Sequence, residues 1–347
     1  MKTLYLIRHG QCRRPSGAKR CLSRTDLPLD EIGIEQAEAL GRWAKNHPID
    51  VVYSSPACRC RETAAAISSQ VLVREELWEV NVGQWENRTF EDIRQLWPGL
   101  YEARGLHMGT VAPPDGESFC EGGERLDGFL RKARSLPGDT VAVVAHGGLF
   151  RGWLWRWLEL PPEEVLAIPQ PWGGVTTISM EEDAPRVLSV GLRPQAPGPR
   201  EIQALWERCG TPDDIRAHGE AVANAAIKLA QSEKDIDREM LRAAGMLHDL
   251  YRHRGRKHPE QAAELLKKEG WPLLAEVVAK HHDLGDDPPQ EAELLYLADK
   301  LIQGTCIVPW KRRFQISWEK CTTVQAKAAW KRRYEDTALL AAKYGVI

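Results

Sequence analysis

The chain contains histidine and arginine residues in positions where they could carry out phosphoryl chemistry. Arg8-His9-Gly10 directly follows the apolar run 4–7, and Arg59 and His146 each come after a further apolar run. Arginine guanidinium groups bind phosphate oxygens two at a time, while histidine can act as a nucleophile or an acid–base group. Phosphoryl transfer requires both, because the non-bridging oxygens carry negative charge and a nucleophile must approach in line.

A second group of polar residues lies beyond residue 200. The pair His248-Asp249 ends an apolar stretch, AAGMLHDL, where a buried charge needs a partner such as a divalent metal ion. Imidazole and carboxylate ligands without thiolates suit Fe, Mn, Zn or Co. One such histidine alone is more often a core or surface residue, but a set of them predicts a metal site. The set is His218, His248, Asp249, His258, His281 and Asp299.

The first 190 residues alternate short apolar runs with amphipathic stretches. Runs 3–7, 51–55 and 140–145 predict buried strands, and 175–180 and 186–190 predict a further strand pair. Helical spacing covers 35–46, 57–69, 125–135 and 149–158. This alternation indicates an α/β sandwich with a mainly parallel sheet, whose carboxyl edge would carry His9, Arg59 and His146.

A change in composition marks the end of this region. Residues 191–200 read GLRPQAPGPR, and a segment so rich in proline and glycine predicts a linker. Beyond it, apolar residues recur at helical spacing in 214–231, 238–247, 259–269, 272–280 and 291–302. We therefore expect domains at 1–190 and 201–347, the second all-α with a C-terminal helical extension.

Length and charge exclude several classes of protein. A chain of 347 residues suits two domains, and a formal net charge of −2 argues against nucleic acid as a principal partner. No signal peptide and no apolar run of about 18 residues is apparent, so no membrane segment is expected. The eight cysteines form no CxxC pair, which favours reduced thiols and a cytoplasmic location.

The N-terminal motifs closely resemble the histidine phosphatase (phosphoglycerate mutase-like) superfamily over about residues 1–190. They are LIRHGQ, TDLPLDEIGIEQAEAL, YSSPACRCRETA, LWEVNVGQWEN, DGES and VVAHGG. The resemblance implies that His9 is the nucleophile that accepts the phosphoryl group, and that Arg8, Arg59 and His146 hold its oxygens. No cofactor is implied for this domain.

The resemblance also implies roles for two carboxylates. Glu79 matches the proton donor, and Glu117 matches a recurrent active-site glutamate of less certain role, whereas Glu75, Glu76 and Glu86 are expected to be solvated. Pro15 stands where RHGETxxN-type relatives have a phosphate-contacting asparagine, so the rim of the pocket must differ. The short segment between residues 59 and 79 lacks the insertion of cofactor-dependent mutases, which favours a broad-specificity or alpha-ribazole-phosphate phosphatase.

Residues 211–305 resemble HD-domain metal-dependent phosphohydrolases. His218, His248, Asp249 and Asp299 match the H…HD…D ligands, and His258 and His281 match the extra histidines of two-metal members. His282 is an alternative to His281. The resemblance implies one or two divalent ions that polarise a phosphoryl group. The basic segment 252–257 either steers an anion or forms a solvated loop, and the two WKRR segments, at 310–313 and 330–333, are expected to cap the helical core.

Together these features predict a bifunctional phosphohydrolase acting on a small phosphorylated metabolite or nucleotide. Phosphomonoester hydrolysis would pass through a phosphohistidine at His9, and metal-dependent hydrolysis would occur at the second site. In one alternative, the helical domain is a non-catalytic metal- or nucleotide-sensing module. In another, the chain is an alpha-ribazole-phosphatase-like enzyme of cofactor metabolism. The oligomeric state stays open.

Overall fold

The computed structural model describes residues 2–134, 138–180, 184–194, 196–234, 236–255, 257–319 and 321–346. They form two compact units divided after Pro194, which we call unit 1 and unit 2. The predicted linker 191–200 includes the end of the last strand of unit 1 and the first two residues of a helix that begins at Pro199. The last residue of the predicted helix 125–135 lies outside the described residues.

Unit 1 is built on a six-stranded sheet with the order β3-β2-β4-β1-β5-β6. The first four strands in this order are parallel, and the strand pair that the sequence predicted, β5 and β6, is antiparallel. The strands are β1 Thr3–Arg8, β2 Val51–Ser54, β3 Val71–Val73, β4 Thr140–Ala145, β5 Val175–Ser179 and β6 Arg186–Leu192.

Alternation along the central strands creates a hydrophobic core on each face of the sheet. Val141 and Val143 of β4 pack on one face with Phe150, whereas Val144 packs on the other face with Leu40. All of these side chains are buried, because helices cover both faces. The architecture is the predicted α/β sandwich with a mainly parallel sheet.

The helices of unit 1 lie in the segments that connect successive strands. They are α1 Glu31–Ala44, α2 Cys58–Ile67, α3 Phe90–Leu96, α4 Pro98–Leu106, α5 Phe119–Arg134 and α6 Gly147–Trp157. Asp30 caps α1 by accepting a hydrogen bond from the Gly33 amide. The sequence did not predict β3, α3 or α4.

Unit 2 is helical around a single hydrophobic core. Its helices are α7 Pro199–Cys209, α8 Asp213–Leu229, α9 Arg238–Leu247, α10 His258–Lys268, α11 Pro272–Ala279, α12 Gln290–Leu301, α13 Trp310–Trp318 and α14 Val324–Lys343. A two-residue antiparallel pair, β7 Ile302–Gln303 and β8 Cys306–Ile307, departs from a strictly all-α unit. Gly304, with φ of +60°, permits this tight turn.

Among the described residues, none of the helices is both long enough and apolar enough to cross a membrane.

Candidate active site and metal centre

Three adjacent strands of unit 1 bring His9, Arg59 and His146 together. His9 follows β1, Arg59 lies in the first turn of the helix after β2, and His146 follows β4, the strand between them. Arg59 donates from Nε to His9 Nε2 at 3.3 Å and from Nη2 to His146 Nδ1 at 3.3 Å. All three side chains are buried. We call these residues, with Arg8 and Glu79, the His9 site.

Local hydrogen bonding fixes the tautomer of His9. Its Nδ1 lies 2.6 Å from the Gly10 carbonyl oxygen, which can only accept, so Nδ1 carries the proton and Nε2 keeps its lone pair. Burial, followed by the charges of Arg8 and Arg59, holds the pKa of His9 well below its usual range. The imidazole is therefore neutral at neutral pH, with Nε2 able to act as a nucleophile.

Arg59 and His146 are held by groups from other segments. Arg59 donates to the Ser23 carbonyl at 2.7 Å and to the Thr25 carbonyl at 3.0 Å, and His146 Nε2 donates to Ser55 Oγ at 2.8 Å. Burial and then His9 and Arg59 lower the pKa of His146 well below its usual range. The sequence did not single out Ser55, although it directly follows β2.

Arg8 and Arg151 lie on either side of a space that Gly147 keeps open. A Cβ at residue 147 would lie 3.1 Å from Arg8 Nε and 3.3 Å from Arg151 Nη1. Arg8 Nε is buried and has no hydrogen-bond partner within the described part of the chain, which marks it as a donor available to a ligand. Burial and then Arg151 lower the pKa of Arg8 to about 9, so it stays charged at neutral pH. Sequence reasoning missed Arg151.

Glu79 occupies the N-terminus of α6. Its carboxylate accepts from the Leu149 amide at 2.7 Å and from the Gly148 amide at 3.1 Å. A Cβ at residue 148 would come within 2.7 Å of Glu79 Oε1, so a side chain there would displace the Glu79 carboxylate. The end of the helix is a favourable position for the negative charge of this carboxylate.

Two arginines hold the backbone around Glu79. Arg125 donates to both oxygens of Glu117, at 2.9 and 3.0 Å, and to the carbonyls of residues 76, 78 and 79. Arg24 donates to Glu117 and to the Glu79 carbonyl, both at 3.1 Å. Glu117 is thus fully engaged as a positioning residue.

Glu86, expected to be solvated, is half-buried. Its carboxylate accepts from the backbone amides of Ser23, Arg24 and Thr25 and from the Thr25 hydroxyl. These hydrogen bonds outweigh the effect of burial and lower the pKa of Glu86. Glu86 therefore fixes the 23–25 loop, whose carbonyls hold Arg59.

In unit 2, the six predicted metal ligands converge in one buried group that we call the Asp249 cluster. Each member is at most 5% exposed. Asp249 Oδ1 lies 2.9 Å from His258 Nε2 and 3.5 Å from His281 Nε2, and Oδ2 lies 3.4 Å from His248 Nε2 and 3.8 Å from His218 Nε2. The cluster comprises His218, His248, Asp249, His258, His281 and Asp299.

The Asp249 carboxylate divides the cluster into two groups of ligand atoms. The first group contains Asp249 Oδ2 and Nε2 of His218 and His248. Asp299 Oδ1 also belongs to it, because it lies 3.4 Å from His218 Nε2 and 3.9 Å from His248 Nε2. His258 and His281 form the other group with Oδ1. These separations are suited to cations lying between the ligand atoms, with one carboxylate shared by both groups.

Backbone carbonyls set the tautomer of the four histidines in the same way. Each Nδ1 lies 2.7–2.9 Å from a carbonyl oxygen and therefore carries the proton. Each Nε2 is buried and lacks a hydrogen-bond partner among the described residues. Four buried imidazole nitrogens with free lone pairs, facing two carboxylates, form a donor set that fits divalent metal. The carbonyls belong to Gly304, Gly245, Gly255 and Val278.

His282, the alternative to His281, lies at the edge of the cluster. Its ring is 4.3 Å from that of His281 and 4.8 Å from that of His258, and it falls within ligand range of Asp249. Burial and then His281 lower the pKa of His282 to about 3. His281 is more deeply buried and aims Nε2 at Asp249.

Cationic side chains surround the Asp249 cluster. Lys300 lies 2.8 Å from Asp299 Oδ2, Arg252 lies 2.8 Å from Asp249 Oδ2, and Arg313 donates to the Asp299 and Ile302 carbonyls. Of the basic segment 252–257, Arg252 therefore reaches the site, and Arg256 lies outside the described residues.

Two cavities open beside Arg313. One of about 320 Å³ also contacts His282, Trp330 and Arg333, and one of about 240 Å³ also contacts His218 and Arg252. The arginine that ends each WKRR segment thus reaches a wall of the larger cavity. The sequence interpretation of these segments as caps missed this contribution.

Comparison with protein families gives two matches, one in each unit. Residues 4–193 match the histidine phosphatase superfamily (branch 1), and this is more than half of the chain. The chain belongs to the histidine phosphatase superfamily. Residues 216–303 match the HD domain, so the predicted fusion is confirmed.

Curated relatives are similar to about half of the chain. A putative phosphoserine phosphatase 2 of Hydrogenobacter thermophilus is 30% identical over 187 residues, 52% of this chain and 91% of that protein. A bifunctional protein of Mycobacterium tuberculosis is 35% identical over 156 residues, 41% of this chain but only 40% of its own length. The family match and the phosphatase relative show that the chain is a phosphoric ester hydrolase.

A solved structure shares the fold of unit 1. Mycobacterial hydrolase 2 superposes with a TM-score of 0.51 at 24% identity, over 58% of this chain and 95% of that protein. The HD match implies divalent metal binding, which the donor set of the Asp249 cluster fits.

Proposed function

We propose that the chain is a bifunctional phosphohydrolase, in which the His9 site hydrolyses phosphomonoesters through a covalent phosphohistidine. The observation that carries this proposal is the state of His9, a buried neutral imidazole whose Nε2 lone pair faces Arg59. Nε2 attacks phosphorus as the bond to the leaving alcohol breaks, and the guanidinium groups of Arg8, Arg59 and Arg151 neutralise the phosphoryl oxygens.

Glu79 supplies the proton for the leaving group. It lies beside Arg8 and Arg151, whose charges it opposes, and protonates the departing alkoxide. The resulting carboxylate then takes a proton from a water molecule that attacks the phosphohistidine, so that phosphate is released and His9 is restored. Each turnover converts one ester and one water into one alcohol and one phosphate.

Trapping the phosphorylated enzyme tests this proposal. Wild type mixed with a phosphomonoester in EDTA and quenched in base should gain one phosphoryl group on the peptide that contains residue 9, detected by mass spectrometry. His9→Ala should lose both the label and EDTA-resistant turnover. His107→Ala, which removes an exposed histidine of the same unit, is the matched control. EDTA-resistant turnover that persists in His9→Ala would exclude the mechanism.

At the second site we propose metal-dependent hydrolysis of a phosphoester. The Asp249 cluster would hold one or two divalent ions, which when bound act as Lewis acids toward a phosphoryl group. Arg252 and Arg313 both line the cavity of about 240 Å³, where they can bind phosphate oxygens. The carbonyls that accept from the histidine Nδ1–H groups orient the ligands.

Elemental analysis tests the second proposal. Purified His9→Ala should carry divalent metal and keep a metal-dependent phosphoesterase activity, and His9→Ala with Asp249→Ala should lose both. Equal metal content in the two proteins would exclude the site. A third outcome would favour a metal-sensing role for the HD domain. In that case the double variant loses its metal, but His9→Ala, which retains metal, shows no measurable turnover of any phosphoester.

A further inference from the structure

Residues 168–174, which lead into β5, lie beside the carboxyl end of β1. The two strands are antiparallel neighbours, with Ile7 paired to Val175, so the start of β5 meets the end of β1. Arg8 donates from its backbone amide to the Gly174 carbonyl at 3.0 Å, which extends this pairing by one residue. The segment therefore borders Arg8, although it lies outside the motifs that carry the superfamily resemblance.

The same segment holds two arginine side chains. The Gln170 carbonyl accepts a hydrogen bond from Arg8 Nη1. The Ile168 carbonyl accepts one from Arg151 Nε at 2.9 Å. The indole ring of Trp172 lies against the Arg8 guanidinium, whose carbon is 5.2 Å from the ring centroid. Nη1 and one face of the guanidinium are thus engaged, while the buried Nε has no partner among the described residues and can donate to a phosphoryl oxygen.

Arg8 needs this support because a second positive charge lies close to it. The distances from a Cβ at residue 147 place Arg8 Nε and Arg151 Nη1 no more than about 6.4 Å apart, where like charges repel. Burial and, after it, the charge of Arg151 lower the pKa of Arg8. The charge of Glu79 opposes this repulsion, but it is lost when the Glu79 carboxyl carries the proton for the leaving group. Other contacts must then keep the Arg8 guanidinium in place.

We propose that Trp172 is a positioning residue for phosphoryl transfer, which acts through Arg8. The face of an indole carries negative electrostatic potential, so it attracts the guanidinium without competing for the hydrogen bonds that phosphate oxygens accept. Stacking also restricts the plane of the guanidinium, so that Nε stays directed at the space that Gly147 keeps open. The inference rests on the proposed phosphatase function and adds a residue to its machinery.

A double-variant cycle tests whether Trp172 acts through Arg8. The full chain is assayed with p-nitrophenyl phosphate in EDTA, and inhibition by inorganic phosphate measures phosphoryl binding. Trp172→Leu keeps an apolar side chain but loses the ring. It should lower kcat/KM about 10-fold, the effect of one partly desolvated cation–π contact, and raise the inhibition constant of phosphate by a similar factor. In an Arg8→Gln background the same change should have no more than about a 2-fold effect, because its partner is gone.

Three controls separate this role from packing and from general charge. Trp172→Phe keeps an aromatic face and should retain kcat/KM within about 3-fold of wild type. Arg14 also lies over the Trp172 ring, at 5.7 Å, so Trp172→Leu should keep its full effect in an Arg14→Gln background. Trp97→Leu removes an indole that lies over Arg88 at 5.4 Å, outside the His9 site, and should leave the kinetics unchanged.

The cycle can contradict the proposal in three ways. Wild-type kinetics in Trp172→Leu, an equal loss in Trp172→Phe, or an undiminished loss in the Arg8→Gln background would each overturn it. Thermal unfolding checks that each variant folds, and Trp172→Gln replaces Trp172→Leu in the cycle if the latter does not, because this side chain is partly exposed.

The assay also distinguishes this proposal from the one on which it rests. Turnover of p-nitrophenyl phosphate that depends on His9 but not on Trp172 leaves the phosphatase function intact and removes the role of Trp172. Absence of turnover in wild type removes the phosphatase function itself.

Discussion

The division of the Asp249 cluster into two ligand groups predicts a specific partial loss of metal. His258 belongs to the Oδ1 group alone, whereas Asp249 serves both groups. His258→Ala should therefore remove one metal equivalent from a protein that binds two, while Asp249→Ala should remove both. His253→Ala is the matched control, because this histidine is exposed and lies in the neighbouring segment.

The size of the effect follows from the ligand chemistry. Changes to groups that merely orient a ligand weaken metal binding 10- to 100-fold, so loss of the ligand itself should cost at least about 100-fold. At a free metal concentration 100 times the wild-type dissociation constant, bound metal stabilises the fold by about 2.7 kcal/mol. A site that binds 100-fold more weakly stabilises it by only about 0.4 kcal/mol at the same metal concentration. The loss of about 2.3 kcal/mol corresponds to a Tm lower by about 5–9 °C for a unit of this size.

Metal removal separates ligation from packing. In EDTA the free energy of unfolding of His258→Ala should be about 1 kcal/mol lower than that of wild type. This difference is the contribution of the lost hydrogen bond from His258 Nδ1 to the Gly255 carbonyl. The assay is plasma mass spectrometry of metal content with thermal unfolding at matched free metal. Two equivalents retained in His258→Ala, or a Tm difference that EDTA does not reduce, would refute the reasoning.

Three further outcomes follow from other contacts. Arg125→Ala should lower kcat about 10-fold with little change in KM, because the backbone that carries Glu79 loses its hydrogen bonds to Arg125. Steady-state kinetics with p-nitrophenyl phosphate measure both constants, and a change in KM alone would contradict this prediction. The lowered pKa values of His9 and His146 mean that the unfolded chain binds protons below about pH 6.5 that the folded chain does not. Stability of unit 1 should therefore fall as pH decreases from 7 to 5, by up to about 2.7 kcal/mol per pH unit, and His9→Asn should halve the slope in urea unfolding. Arg313→Gln should weaken metal binding 10- to 100-fold, because Arg313 contacts the metal ligand Asp299. A competition titration with a chelator measures the affinity, and an unchanged value would mean that Arg313 contributes to substrate binding alone.

Sequence reasoning succeeded where chemistry follows regular structure. His9 and His146 come directly after apolar strands, and parallel strands place their carboxyl ends at one edge of the sheet, so the sequence predicts their proximity. The helical spacing in unit 2 likewise predicted that His248 and Asp299 face a common interior. The site residues that can best be predicted from the sequence are thus those at the ends of strands and helices with a clear hydrophobic period.

The sequence could not show contacts that depend on irregular segments. Arg125 lies on a helix, but its partners are carbonyls of the 76–79 segment, whose path has no periodic signature. Arg313 lies beyond the recognisable HD motif and reaches Asp299 only because α13 packs beside the end of α12. Such residues carry no type or spacing that separates them from surface arginines.

The two sites use one local arrangement for opposite purposes. His9 and His248 each donate from Nδ1 to a backbone carbonyl one to three residues away, which leaves Nε2 as a lone pair. Guanidinium groups surround the first Nε2, so the site attracts a phosphoryl anion and repels cations. Carboxylates surround the second, so it attracts a cation. The sign of the neighbouring charge thus decides whether the imidazole nitrogens meet an anion or a cation. We therefore expect that the His9 site binds no divalent metal, and that a chelator abolishes activity at the Asp249 cluster while the His9 site stays active.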